Sequence, residues 1–435
     1  MAKSPGDSVG WVRIVSAIFA VALLVTGCAD ADSGHRFATD PRPTATAAQP
    51  TVVVTRPPES IPPTAAPTRA AAQLLRPRGA PSRLYFGAGS VVVMVDLKDR
   101  AAEAIWTAKP SDELIGFAPS PSAAQVAVLV RDAANAKRAD VYVLDADGSV
   151  AEAYPDIASR GQSLGPKAVA TSIDWSPQGD QLVIGFDPGG VKTLSVRTGS
   201  SLPVADPSLT KPTGTSWSPT GQHVAMIADG ANGKTLKVVT VSDCCDPGTP
   251  GPRAIRVEDL GQARAFAWMP DGRRLLIARP SPNGGGVAPI ELWVVGLGTE
   301  RSQHVLSAGS TVPAGSIDKF SLAADGRALA YTVTTLVEGE PTFDSLWITD
   351  IAGGLPFRVP LPVGSVVTDL WWTSQGLVVQ VVDLAGLPPG PGTSSVPFSL
   401  LLVATPGTPE SLLEGKMEWV VTATPTPVPT PTPLG

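Results

Sequence analysis

The strongest pattern along the chain is a short alternation of apolar and polar positions that ends at an aromatic residue, turns, and returns as an aliphatic run. One copy reads Ile173-Asp174-Trp175-Ser176-Pro177-Gln178-Gly179-Asp180-Gln181-Leu182-Val183-Ile184. Two more are Thr215-Ser216-Trp217-Ser218-Pro219-Thr220-Gly221-Gln222-His223-Val224-Ala225 and Phe266-Ala267-Trp268-Met269-Pro270-Asp271-Gly272-Arg273-Arg274-Leu275-Leu276-Ile277. Weaker copies span Phe320–Ala330, Trp372–Val378 and Pro119–Val128, the last with Ala123 in place of the Gly. Each unit predicts a β-hairpin. Pro fixes φ at the second turn position and Gly tolerates positive φ after it. Each hairpin is followed by a third aliphatic run: Val141–Asp145, Leu194–Val196, Leu236–Val239, Leu292–Val295, Leu346–Thr349 and Leu400–Val403, with a seventh, Val91–Leu97, ahead of them all. A fourth, poorer strand is expected after each.

The turn Gly (or Ala123) falls at positions 123, 179, 221, 272, 326 and 376. Four short antiparallel strands recurring every ~50 residues predict the blades of an all-β propeller. The aromatic-Ser-Pro-x-Gly style of the turn resembles the repeats of TolB-type, or WD40-like (PD40), propellers, over about residues 82–422. Seven third-strand runs against six turns leave the first blade short of an inner strand, since only Leu84-Tyr85-Phe86-Gly87 precedes Val91. Lys416-Met417-Glu418-Trp419-Val420-Val421 follows the last blade and has the character of a first strand. The expected fold is a seven-bladed propeller closed 3+1, with that C-terminal strand completing the N-terminal blade. Six blades, as in TolB itself, is the alternative. Trp175, Trp217, Trp268 and Trp372 are expected to pack between blades.

The flanks read differently. Lys3 and Arg13 precede an uncharged apolar run from Ile14 to Thr26, which suits a secretory signal and is short for a bilayer span. Val25-Thr26-Gly27-Cys28 then resembles a bacterial lipobox. The resemblance implies cleavage after residue 27 and lipidation of Cys28, whose acyl chains would hold the protein at the outer face of the cytoplasmic membrane, or at the outer membrane of a two-membrane cell. Residues 28–81 are rich in Pro, Thr and Ala, and 36–80 have few large apolar groups, so this segment is expected to be a disordered stalk. Residues 423–435 repeat that chemistry as a tail.

Composition narrows the partners. Net charge is −6 and charged residues are 17% of the chain, which argues against a general nucleic-acid binder. Three Cys and three His exclude a disulfide scaffold and a Cys/His zinc cluster. No cofactor or metal is expected. The phosphate-cradling glycine loop and the zinc-protease helix motif are absent from the sequence. His35, His223 and His304 stand far apart. The adjacent Cys244 and Cys245 leave three readings open: a strained vicinal disulfide, an intermolecular bridge, or a reduced pair. Asp174, Asp318 and Asp369 lie on or next to first strands, and so near the channel; both an acidic binding mouth and plain strand-end hydrogen bonding fit them. The expected function is a membrane-tethered, monomeric, non-enzymatic scaffold that binds a protein, peptide or envelope ligand. The alternative is a propeller hydrolase or lyase whose catalytic residues converge on the funnel.

Overall fold

In the computed structural model the described residues are 80–421, apart from 89, 161–167, 189, 205–209, 231–232, 242–256, 282–288, 300–301, 308–314, 338–339, 384–391 and 405–408. The repeated units fold as the hairpins their turns demand. Gly179, Gly221, Gly272 and Gly326 hold φ between 63 and 74°, and Ala123 adopts the same left-handed turn at 54°. The turns also stack. A methyl group on Gly326 would come within 2.6 Å of Pro270 in the preceding turn, and one on Gly272 within 2.7 Å of Thr220. Gly is therefore required twice over, by φ and by contact.

The hairpins assemble into seven antiparallel sheets, the blades, numbered here in chain order. Blade 1 contains β1 (Arg83–Ala88), β2 (Val91–Asp96) and β3 (Ala101–Thr107). Blade 2 runs through β4 (Asp112–Pro119), β5 (Gln125–Asp132), β6 (Ala139–Asp145) and β7 (Val150–Tyr154). Blade 3 has β8 (Val169–Trp175), β9 (Gln181–Asp187), β10 (Gly190–Ser195) and β11 (Ser201–Val204). Blade 4 has β12 (Thr210–Trp217), β13 (His223–Gly230), β14 (Gly233–Thr240) and β15 (Val257–Gln262). Blade 5 has β16 (Ala265–Trp268), β17 (Arg274–Pro280), β18 (Ile290–Gly296) and β19 (Ser302–Ser307). Blade 6 has β20 (Gly315–Leu322), β21 (Ala328–Val337), β22 (Glu340–Asp350) and β23 (Phe357–Val359). Blade 7 has β24 (Ser365–Thr373), β25 (Gly376–Asp383), β26 (Gly392–Val403) and β27 (Glu410–Val421).

The apolar core lies between blades. Seven clusters of buried side chains join the seven neighbouring pairs, including blade 7 with blade 1. Between blades 2 and 3, Ile173, Trp175, Leu182 and Ile184 pack on Ala127, Leu129, Val141 and Val143. Each buried Leu, Ile or Val contributes about 1.5–3 kcal/mol, so the junctions carry the ring. Three inner-strand tryptophans tie their blade to the one before it. Trp175 donates its indole N–H to Ala118 O (2.8 Å), Trp268 to Ser216 O (3.2 Å) and Trp372 to Ser321 O (2.9 Å). Trp217 is buried too, but its link is through the backbone: its N–H donates to Asp174 Oδ2 at 2.9 Å. The expected inter-blade role of the tryptophans holds.

Seven blades were expected and seven are present, but the 3+1 closure is not formed. Lys416–Val421 continues β27 and pairs with Gly392–Pro397 of β26, while blade 1 holds three strands. The physical reason is local. β26 overhangs β25, which reaches only Phe398 to Val403. The overhang offers the tail a ladder in register with no loop to close.

Candidate binding cleft beside the first strand

Strand registers show which strand blade 1 lacks. Arg83 pairs with Asp96 and Leu84 with Val95. The Leu97 N–H donates to Ser82 O. The same bond recurs from Val196 to Asp180, Val241 to Gln222, Leu297 to Arg273 and Ile351 to Arg327, each at the start of a second strand. β1 is thus the second strand of its blade, and the vacant position is the innermost one. β1 hydrogen-bonds to β2 along one edge, and within its sheet the other edge is open.

That edge borders a cavity of about 1010 Å³. β1, β4 and β24 form its walls, with Leu84, Phe86, Phe117, Asp369, Trp371 and Gln380 among the lining side chains. An unpaired strand edge presents alternating N–H and C=O groups to whatever enters. The lining is mixed, with Phe86, Phe117 and Trp371 beside Arg83, Asp369 and Gln380.

Asp369 adds the charge. It lines the open cavity and is exposed there. The protein atoms packed around it push its carboxyl up to about 6, opposed by the Leu370 N–H (3.0 Å) and by the positive charge of Lys319. The other two acidic positions are engaged elsewhere. Asp174, also raised to about 6 by burial, accepts the Trp217 N–H. Asp318 pairs with Lys319 at 2.8 Å. Strand-end bonding describes Asp174; only Asp369 of the three lines the cleft. Among the described residues no three His, Cys, Asp or Glu side chains cluster as metal ligands would.

His223 stacks on Trp268 with its Nδ1 3.3 Å from Thr240 Oγ1, and burial lowers its pKa. His304 belongs to a group that sequence reading missed. Its Nε2 lies 2.9 Å from Ser307 Oγ, which donates to Glu291 at 2.8 Å. The carboxylate also approaches that same ring nitrogen, at 3.8 Å. A nucleophile–base–acid relay needs the acid on the opposite ring nitrogen, so these three are not aligned for one. Their closeness comes from cross-strand neighbours on β18 and β19, which no linear motif encodes. Lys192 was likewise missed. It is fully buried and donates to the carbonyls of Ile157 (3.2 Å), Ala158 (2.7 Å) and Arg160 (2.8 Å), fastening the loop after β7. Cys28, Cys244 and Cys245 lie outside the described residues, as does His35.

The sheet order and the seven inter-blade cores decide the fold. The chain is a seven-bladed, WD40-like β-propeller. Among solved structures, a prolyl endopeptidase aligns with a TM-score of 0.52 at 14% identity, over 81% of this chain and 52% of its own. The β-propeller domain of Cps50 (Swd1) from Myceliophteria thermophila gives 0.48 at 13% identity, over 72% of this propeller chain and 92% of its own. Hydrazine synthase of Kuenenia stuttgartiensis gives 0.43 at 13%, over 70% and 100%. Such identities speak for the propeller fold alone. No family model and no curated protein sequence matches the chain.

Proposed function

We propose that this propeller is a lipid-anchored binding scaffold that takes an extended segment of a partner protein into the cleft beside β1. One observation carries the reading: a strand with one open edge lies along a cavity of about 1010 Å³ between two neighbouring inner strands. Strand addition supplies affinity through main-chain hydrogen bonds, and flanking pockets select side chains. Phe117 and Trp371 line the apolar pockets, and Asp369 favours a basic or hydrogen-bond-donating residue nearby. Anchoring rests on the apolar run Ile14–Thr26 and on Cys28 at the lipobox-like Val25-Thr26-Gly27-Cys28. The partner-binding part is tested by selecting displayed peptides against the full chain and following amide exchange. Enrichment of extended apolar sequences that protect Arg83–Ala88 is the expected result. No enrichment, or protection elsewhere on the ring, overturns it. The anchor is tested by mass spectrometry of the N-terminal peptide, which should carry acyl chains that Cys28→Ser abolishes.

Asp369 favours a second reading, an enzyme working in the same cleft, because a carboxyl near 6 suits proton transfer at neutral pH. Turnover of a bound peptide that Asp369→Asn abolishes, with binding retained, would select it.

A further inference from the structure

A second cavity, of about 320 Å³, lies at the seam of blades 4 and 5 and shares no residue with the cleft beside β1. Its volume is at the small end of ligand sites, which run from about 300 to 1,000 Å³. The seam supplies an apolar part. Val238 belongs to the core cluster that joins the two blades and Leu297 packs against that cluster; both line the cavity.

Two opposite charges line the same cavity, and neither is spent on the other. Arg273 follows Gly272 in the turn between β16 and β17. Its neighbour Arg274 takes the Asp271 carboxylate at 2.6 Å. Arg273 is exposed and has no carboxylate within ion-pair distance among the described residues. Glu258, on β15, accepts the Gly298 N–H through both oxygens, at 2.8 and 3.1 Å. That contact crosses the seam and fixes the carboxylate from the opposite blade. No ammonium or guanidinium pairs with it among the described residues.

His223 adds a polar contact between them. Its ring stacks on Trp268, with centroids 6.4 Å apart and planes 20° apart. Its Nδ1 lies 3.3 Å from Thr240 Oγ1. When that hydroxyl donates to Nδ1, the ring proton sits on Nε2, the nitrogen left to bond a ligand. Glu258 and Arg273 both act on this imidazole, in opposite senses, so the three groups share one local field.

This charge pattern selects a class of ligand. A plain anion would meet Arg273 but be repelled by Glu258. A plain cation would meet the reverse. A small zwitterion satisfies both, with charge-assisted hydrogen bonds at each end. We infer that the seam of blades 4 and 5 is a binding site for a free amino acid with a small apolar side chain. Its carboxylate goes to Arg273 and His223, its ammonium to Glu258, and its side chain to Val238 and Leu297. The site does not depend on the strand-binding reading of the β1 cleft.

Calorimetric titration of the full chain with L-alanine, L-valine, N-acetyl-L-valine and L-valine methyl ester tests this. The free amino acids should bind with a dissociation constant of about 1 mM or tighter. Either blocked form should bind about tenfold more weakly, having lost one charged contact. Arg273→Gln should weaken L-valine by about tenfold and erase its advantage over the methyl ester, while Arg273→Lys keeps most of both. Glu258→Gln, whose amide oxygen still accepts the Gly298 N–H, should erase the advantage over N-acetyl-L-valine. Unfolding midpoints equal to the parent's show that the variants keep the fold. Should Glu258→Gln shift its midpoint, the blocked ligands on the parent chain decide that end of the site. No binding of either free amino acid at millimolar concentration overturns the inference. Equal affinity for free and blocked valine overturns it as well, and so does binding of L-valine that a folded Arg273→Gln chain leaves unchanged.

Discussion

Trp175 Nε1 donates to the carbonyl of Ala118 at 2.8 Å, from the inner strand of blade 3 to that of blade 2. Both groups are buried, so each would be left without water if the other were removed. Trp175→Phe should cost about 1–2 kcal/mol through the stranded carbonyl. Trp175→Ala should cost about 3–5 kcal/mol by adding a cavity. Chemical denaturation of the three proteins checks both steps, and equal losses for Phe and Ala would deny the hydrogen bond a role.

Gly326 should tolerate Ala worse than Gly298 does. Both hold φ near 70°, at 72 and 66°, so both incur the left-handed cost of about 1–2 kcal/mol. Only Gly326 also meets a neighbour, Pro270 at 2.6 Å; Gly298 faces open space. The difference between the two Ala variants, read as a shift in unfolding midpoint, isolates the turn-on-turn contact.

Lys192 makes stability depend on alkaline pH. Burial lowers its ammonium to about 8, with Asp156 opposing, from an ordinary value of 10.5. Between those values the unfolded chain holds a proton that the folded chain has released. Stability should therefore rise with pH across that window. Lys192→Met should remove the slope and, by stranding three carbonyls, cost about 3 kcal/mol at neutral pH. Urea titrations from pH 7 to 11 check both.

Asp369 gives the opposite slope at acid pH. Its folded value near 6 exceeds the unfolded 3.8, so the folded chain holds the extra proton between them. Stability tied to this group is full below about pH 4 and is lost as pH rises through 6. Asp369→Asn should flatten that limb; Asp174, raised for the same reason, should leave its own share behind. A strand bound in the cleft would bury Asp369 further, so binding should tighten as pH falls toward 5.

Much of the fold was legible because the blade turn repeats one physical constraint. Pro and Gly mark a left-handed corner stacked on its neighbour, and Ala123 could be read in the same place because its surroundings matched. The missing inner strand of blade 1 was legible for the same reason, as a run, Val91–Leu97, with too little ahead of it. The tail was not. Lys416–Val421 has two ladders within reach, and composition does not rank one edge against another. The cleft residues were partly legible. Asp174 and Asp369 look alike in sequence, yet one meets a backbone N–H of the next blade and the other a cavity, a difference set by blade junctions rather than by spacing. Lys192 sits in an ordinary strand pattern, and its three carbonyl partners come from a loop with no signature.

The three inter-blade indole bonds, from Trp175, Trp268 and Trp372, point the same way around the ring, each to the preceding blade, so those blades overlap like roof tiles laid in one sense. At the joint of blades 7 and 1 the inner overlap is missing. What spans it is an apolar core that includes Leu84, Val93, Val378 and Leu400, with Ser374 N–H to Pro81 O, Gln375 to Leu97 O, the edge contact of Phe86 with Phe398, and the ion pair of Arg100 with Glu410. The joint is held on the outside by its apolar core and left unlaced on the inside, beside the cleft.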